Sequence, residues 1–393
     1  MKQNDDTILS EFLNYFWIIL TIYTIMDPLI GLTGQNALLL QALFAVMLLP
    51  SYLKALFAIK RNKIILFLNA EIFMGLLFLG SIMRYNHFDI AKYMLLNMFV
   101  CVPLFFCFLC MTDLKTYEKL FDKFSLYVFY ISLSIIVVKI VHPSFTYSSL
   151  YAYNLLWALL WHSRKIIEND KRKMFIPIVV IELLLLYFFG TRSALICFAV
   201  YFIMASFPSH KKLFVVSLLL FVALGVAIFA AYSSSSSTSS LRFFFLNLSE
   251  SRGLIELWKE SIPLIGKNVI WGLGLAGEAQ YLQGGISKNF IIEILIDYGA
   301  IFGLTVLALF GYGVVKLLKE NKRFPLLLVS LCAGWLPLFS YSTYLYNPYF
   351  YFMIGIFVFI IINDKGMSDL LGNKATSVNV NKKVPLDDSQ WRF

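Results

Sequence analysis

NFIIEILIDYGAIFGLTVLALFGYGVVKLL, from Asn289 to Leu318, carries only Glu293 and Asp297 as acids in an otherwise apolar run. Roughly 20 such residues cross the hydrocarbon of a bilayer as a helix. Similar runs occupy residues near 12–30, 37–59, 64–83, 90–111, 125–142, 147–162, 174–190, 193–207, 213–232, 289–318, 325–342 and 347–363. Of the 393 residues, 60% are hydrophobic and 14% charged, whereas a soluble domain is closer to about half apolar and a quarter charged. The pattern predicts an all-α polytopic membrane protein of about 12 transmembrane helices. A transmembrane β-barrel would show short alternating segments instead.

The connectors alternate in charge. Lys60-Arg61-Asn62-Lys63, the stretch with Lys115, Lys119 and Lys123, the segment from Arg164-Lys165 to Lys171-Arg172-Lys173, Lys211-Lys212, and Lys319 with Lys322-Arg323 are basic. Gly34-Gln35-Asn36, His142-Pro143-Ser144 and Tyr346-Asn347-Pro348 lack Lys and Arg. Because cytoplasmic loops collect Lys and Arg, both termini are expected in the cytoplasm and residues 233–288 outside it. The net charge of +10 is then topological, and no nucleic-acid partner is implied. The first apolar run is longer than the core of a signal peptide, so no cleavable signal is expected. The chain divides into a transmembrane helical domain, 1–363, and a polar, disordered cytoplasmic tail, 364–393.

The outer segment opens with the tract Ser233 to Ser240, which has no side chains to build a core and predicts a flexible hinge. Leu254, Leu257, Trp258, Ser261 and Ile265 then recur at helical spacing. Asn247 followed by Glu250 resembles a helix start, and Pro263 with Gly266 should end it. The helix either lies on the lipid or roofs a cavity and aims Arg252 into it. Gly272, Gly274, Gly277, Gly284 and Gly285 follow, a density that marks tight turns or close backbone approach.

Ionisable groups at membrane depth are costly and usually face a cavity or a partner. Arg192 sits in the turn Phe189-Gly190-Thr191-Arg192-Ser193 between two runs, where its planar fork suits a diphosphate. Asn289, Glu293 and Asp297 are spaced by four and share one helix face, descending about 12 Å from the mouth. They could handle protons, bind sugar hydroxyls, or pair with Arg or Lys to fix packing. Glu71 and Glu182 lie deeper, where they could relay protons, form a structural ion pair or stay protonated, with Lys139 either their partner or snorkelling to the interface. The four histidines lack metal-ligand spacing. All five cysteines fall inside apolar runs, where an external disulfide has no place to form.

Gly190-Thr191-Arg192-Ser193, the external segment with Arg252 and Trp258, the stretch Pro263 to Gly274, and Lys288-Asn289 opening a span with Asp297-Tyr298-Gly299 occur in this order. This set, over 174–363, resembles the O-antigen ligase and polymerase family of bacterial surface-polysaccharide assembly. The resemblance implies a glycosyltransferase of the bacterial cytoplasmic membrane. Its partners would be undecaprenyl-diphosphate-linked glycans as donor and acceptor, membrane lipids, and a chain-length regulator protein. It would join repeat units of O-antigen or capsule at the outer face by inverting transfer, with neither metal nor cofactor. Arg192 and Arg252 would hold the diphosphate.

The chain departs from the pattern in having Lys288-Asn289 where ligases, and many polymerases, carry His-Asn. A solvated Lys, with a pKa near about 10.4, is a poor base at neutral pH, so Lys288 reads as a further diphosphate clamp. The proton acceptor is left open, with Glu293, Glu278 and Glu250 placed near the acceptor glycan and Trp258 beside them. A ligase acting on lipid A core, and a flippase or transporter of lipid-linked oligosaccharides, are the alternative readings.

Overall fold

The computed structural model describes residues 61–85, 88–110, 114–141, 149–167, 172–189, 191–209, 248–282, 285–320, 324–339 and 342–364, with scattered positions in 7–57. The serine tract, the run near 213–232 and the tail beyond Asp364 lie outside these residues, as do most of the runs near 12–30 and 37–59. The described residues are helical, with no strand.

In chain order the helices are α1 (Arg61–Tyr85), α2 (Phe88–Leu96), α3 (Val102–Cys110), α4 (Leu114–Val141), α5 (Ser149–Ile167) and α6 (Arg172–Phe188). They continue with α7 (Arg192–Ser209), α8 (Leu248–Ile265), α9 (Phe290–Glu320), α10 (Phe324–Gly334) and α11 (Pro348–Asp364). Three stretches are long and apolar enough to cross a membrane: Ile64–Tyr85, Glu118–Val141 and Phe290–Leu318. Shorter apolar helices run over Tyr93–Cys107, Met174–Phe188, Ser193–Ala205, Pro325–Phe339 and Pro348–Ile361. α1 turns Ile72, Phe73, Leu76 and Met83 outward, and α9 does the same with Ile301, Leu304, Leu309 and Tyr312. Apolar surface of this extent suits hydrocarbon rather than water.

α5 is the axis of the bundle. Every residue from Tyr151 to Arg164 is buried, with α4, α6, α7 and α10 packed around it. Its Tyr and Trp side chains, which sequence makes the least apolar part of any span, fill the core instead of facing the interface. Trp157 and Trp161 pack on Phe121 at ring separations of 6.1 and 4.7 Å. The Trp161 indole N–H, which cannot be left unpaired without cost, donates to Asp122 at 2.6 Å.

Three expectations need correction. Lys115, Lys119 and Lys123 are not in a loop: α4 begins at Leu114 and carries them as its first turns. Glu182 pairs with His162 at 2.9 Å, not with Lys139. The run near 325–342 is not one span-length helix, because α10 stops at Gly334 and a tight 3-10 turn, Leu336–Phe339, follows.

α2 and α3 form one helix joined by a π turn, Asn97–Cys101. Pro103 explains the widened turn: it has no N–H for the carbonyl four residues back, and its ring would crowd that carbonyl. The turn directs the buried Asn97 amide to the Leu345 carbonyl and the Tyr351 hydroxyl. It thereby ties down the loop between α10 and α11, which reaches the site described next.

Candidate functional site

α9 breaks at Gly299, whose φ of 79° and ψ of 164° are not helical. A break at membrane depth strands backbone groups that water cannot satisfy. The segment after α8 satisfies them. Leu273 N–H donates to the Ile296 carbonyl at 2.8 Å and Gly274 N–H to the Asp297 carbonyl at 3.0 Å. Ile301 N–H donates back to the Val269 carbonyl at 3.3 Å. Only glycine permits the approach: a Cβ on Gly272 would lie 2.3 Å from the Asp297 carbonyl oxygen, and one on Gly299 would lie 2.5 Å from that of Ile270. The two glycine-bearing motifs are two sides of one closure.

α8 caps this closure. Ser261 and Leu264 are buried, Leu257, Trp258 and Ile265 partly so, and Glu256, Lys259 and Glu260 face outward. Leu264 joins Leu273, Leu282 and Ile296 in a small core that Leu257, Ile265, Ile292 and Tyr85 extend. The amphipathic helix therefore packs on protein and ends at Ile265, just past Pro263. Its expected cap, Asn247, lies outside the described residues.

Three acids meet beneath the roof. Glu278 lies in the 3-10 turn Gly277–Gln280 and is 1% exposed, while Glu293 and Asp297 of α9 are 0% and 3% exposed. They are close enough to interact electrostatically. Glu278 Oε1 accepts from Ser287 N–H at 3.0 Å and from its hydroxyl at 3.4 Å. Trp258 Nε1–H donates to the Ser287 carbonyl at 3.0 Å, so one residue is gripped by both the roof helix and the acid. Tyr344 reaches both acids of α9: its N–H donates to Glu293 at 3.3 Å and its hydroxyl to Asp297 at 2.6 Å.

Each acid keeps one buried oxygen with no hydrogen-bond partner: Glu278 Oε2, Glu293 Oε1 and Asp297 Oδ1. Among the described residues no Lys, Arg or His pairs with them. Burial pushes the Glu278 carboxyl up to about 7, even though the Ser287 hydrogen bonds pull it down. A carboxyl poised there exchanges a proton near neutral pH, the condition for an efficient general base. Among the described residues no three acids, cysteines or histidines are placed to share a metal ion.

Asn289 does not join the acids. Its Oδ1 caps α9, accepting from Ile291 N–H at 3.1 Å and Ile292 N–H at 3.3 Å. Lys288 is exposed, with a left-handed φ of 51°, next to the gripped Ser287. Of the residues expected at the site, Trp258, Glu278, Lys288, Asn289, Glu293 and Asp297 thus gather at one end of the bundle. Arg192 opens α7, and Glu250 and Arg252 fall in the first turns of α8, but their side chains lie outside the described residues. Sequence reading missed Ser287 and Tyr344. The dense aromatics of Tyr341 to Tyr346, polar at one end and apolar at the other, were the available signal for Tyr344. No protein-family model matches the chain, and no curated protein or solved structure matches it.

Proposed function

We propose that this chain is a membrane glycosyltransferase that joins undecaprenyl-diphosphate-linked repeat units into a surface polysaccharide, O-antigen or capsule, at the outer face of the bacterial cytoplasmic membrane. In this reading about 12 helices cross the bilayer, both termini are cytoplasmic, and α8 is the roof of the reaction chamber. The observation that carries it is Glu278: a buried carboxyl with one free oxygen, held near 7 beside the start of α9.

The acceptor hydroxyl gives its proton to Glu278 Oε2 as its oxygen bonds to the donor's anomeric carbon. The bond from that carbon to the diphosphate oxygen breaks on the opposite face, and the lipid diphosphate leaves with the electron pair. Arg192, Arg252 and the exposed Lys288 would neutralise that leaving charge, the kind of fixed electrostatic help that lowers such barriers most. Glu293 and Asp297 bind acceptor hydroxyls, and Trp258 holds Ser287 in register.

A second reading, a flippase or transporter, draws on the break at Gly299, because transporters build sites from interrupted helices. Proteoliposomes loaded with synthetic repeat units separate the two. Lengthening of outward-facing units, lost in Glu278→Gln, supports the transferase. Movement across the bilayer without lengthening overturns it.

A further inference from the structure

The end of α1 and the segment after α8 build a feature that no part of the transfer step uses. Arg84 places its guanidinium carbon 5.2 Å from the Tyr85 ring centre. Tyr85 meets Tyr281 edge to face, at 6.3 Å and 73°. Lys267 Nζ stands 3.4 Å over the Tyr281 ring. Two cations thus bracket two rings in one row. Arg84 and Lys267 are exposed, and neither pairs with a carboxylate among the described residues. The Tyr85 ring rests against Gly277, where a Cβ would lie 3.0 Å from its Cε2, so the row ends beside Glu278. The Tyr85 hydroxyl is buried and has no hydrogen-bond partner among the described residues, a donor left for something else.

We infer that Arg84, Tyr85, Lys267 and Tyr281 form a binding step for a sugar attached to a phosphate or diphosphate, the head of a lipid-linked glycan on the acceptor side. The cations supply charge-assisted contacts to phosphate oxygens, Arg84 with a fork that can take two of them. The tyrosine rings offer apolar faces to a sugar ring, and the Tyr85 hydroxyl donates to a sugar hydroxyl beside Glu278. An ordinary phospholipid head would satisfy the cations but leave the rings and that hydroxyl unused, so the row is assigned to the glycosylated carrier. The choice of carrier rests on the transferase reading, while the phosphate-and-ring chemistry does not.

The test is binding without turnover. The purified full chain is titrated in nanodiscs with an undecaprenyl-diphosphate monosaccharide, undecaprenyl phosphate, or phosphatidylglycerol, and bound lipid is counted by native mass spectrometry. The monosaccharide diphosphate should bind at least about tenfold more tightly than phosphatidylglycerol, and Arg84→Gln/Lys267→Gln should lose about tenfold. Tyr281→Leu should weaken the sugar-bearing probe while leaving undecaprenyl phosphate nearly unchanged. Lys259→Ala, on the outer face of α8, serves as the charge control, and a thermal melt of each variant identifies any that misfold. Unchanged binding in a folded double variant overturns the step. So does equal affinity for phosphatidylglycerol, which would make the row a lipid-anchoring belt. A chain that binds in this way but never elongates keeps the step and loses only the transferase. Elongation with an unchanged acceptor KM in the double variant loses only the step.

Discussion

Among the described residues, two of the groups of buried ionisable side chains are built differently. Between α5 and α6, Glu182 and His162 are 0% and 1% exposed and bond to each other at 2.9 Å, with the imidazole stacked on Phe175. The acid has a base beside it, although Glu182 Oε2 and His162 Nε2 make no hydrogen bond among the described residues. Under α8, three acids share a site with no basic partner among the described residues, and each has an unused oxygen. The difference between the two groups is the basic partner, which the three acids lack among the described residues. The largest test of that contrast is Glu278→Gln. The amide can still accept from Ser287, so the fold should hold, while transfer falls by about 10²–10⁴-fold if Glu278 takes the proton. Wild-type activity should be lost as pH drops below about 7, where the carboxyl is protonated, and should level off above it. Stability runs the other way. The folded carboxyl sits above its ordinary 4.5, so the folded state binds the extra proton and is favoured at low pH. That advantage fades as pH rises from 4.5 to about 7, a loss of about 3 kcal/mol. Glu278→Gln should flatten the part of the slope that this carboxyl supplies in thermal melts at pH 5 and pH 8, leaving what its neighbours add.

The paired group should answer in the opposite way. His162→Ala leaves Glu182 buried without its partner, a change that costs about 3–5 kcal/mol of stability. Its melting temperature should drop markedly, while the transfer rate per folded molecule stays at the wild-type level. A rate loss as deep as that of Glu278→Gln would erase the distinction between the two groups.

What the sequence disclosed follows the same division. Apolar runs located most of the described helices because hydrophobic length is a local property. The spacing of Glu293 and Asp297 put both acids on one inward face for the same reason. Local pattern could not show that α5 is the core axis, since its Tyr and Trp residues look interfacial until their neighbours are known. Nor could it show that the turn holding Gly272 and Gly274 repairs a break at Gly299, because those hydrogen bonds join segments distant in sequence. Sequence supplied the glycines without their purpose. Gly299→Ala exposes that purpose: at a φ of 79°, with backbone oxygens inside contact distance of the new methyl, it should cost about 1–3 kcal/mol. It should also loosen Asp297 and the segment after α8 together, seen as faster amide exchange at Leu273, Gly274 and Ile301.

The smallest expected effect concerns the link between roof and acid. Trp258→Phe keeps an aromatic ring in the partly exposed face of α8 but removes the N–H that holds the Ser287 carbonyl. A hydrogen bond of this kind contributes about 0.5–1.5 kcal/mol, and water can replace part of it here. Ser287 would still bond Glu278 through its own N–H, so the acid keeps its environment and the rate at saturating acceptor should change less than about threefold. Lys288 follows Ser287 directly, so a looser carbonyl shows instead as a raised KM for the lipid-linked substrate. Initial rates across acceptor concentrations separate the two parameters. A rate loss approaching that of Glu278→Gln would place Trp258 among the groups that meet the reacting atoms, and the contrast would then divide α8 from the rest of the bundle instead of the acids from their supports.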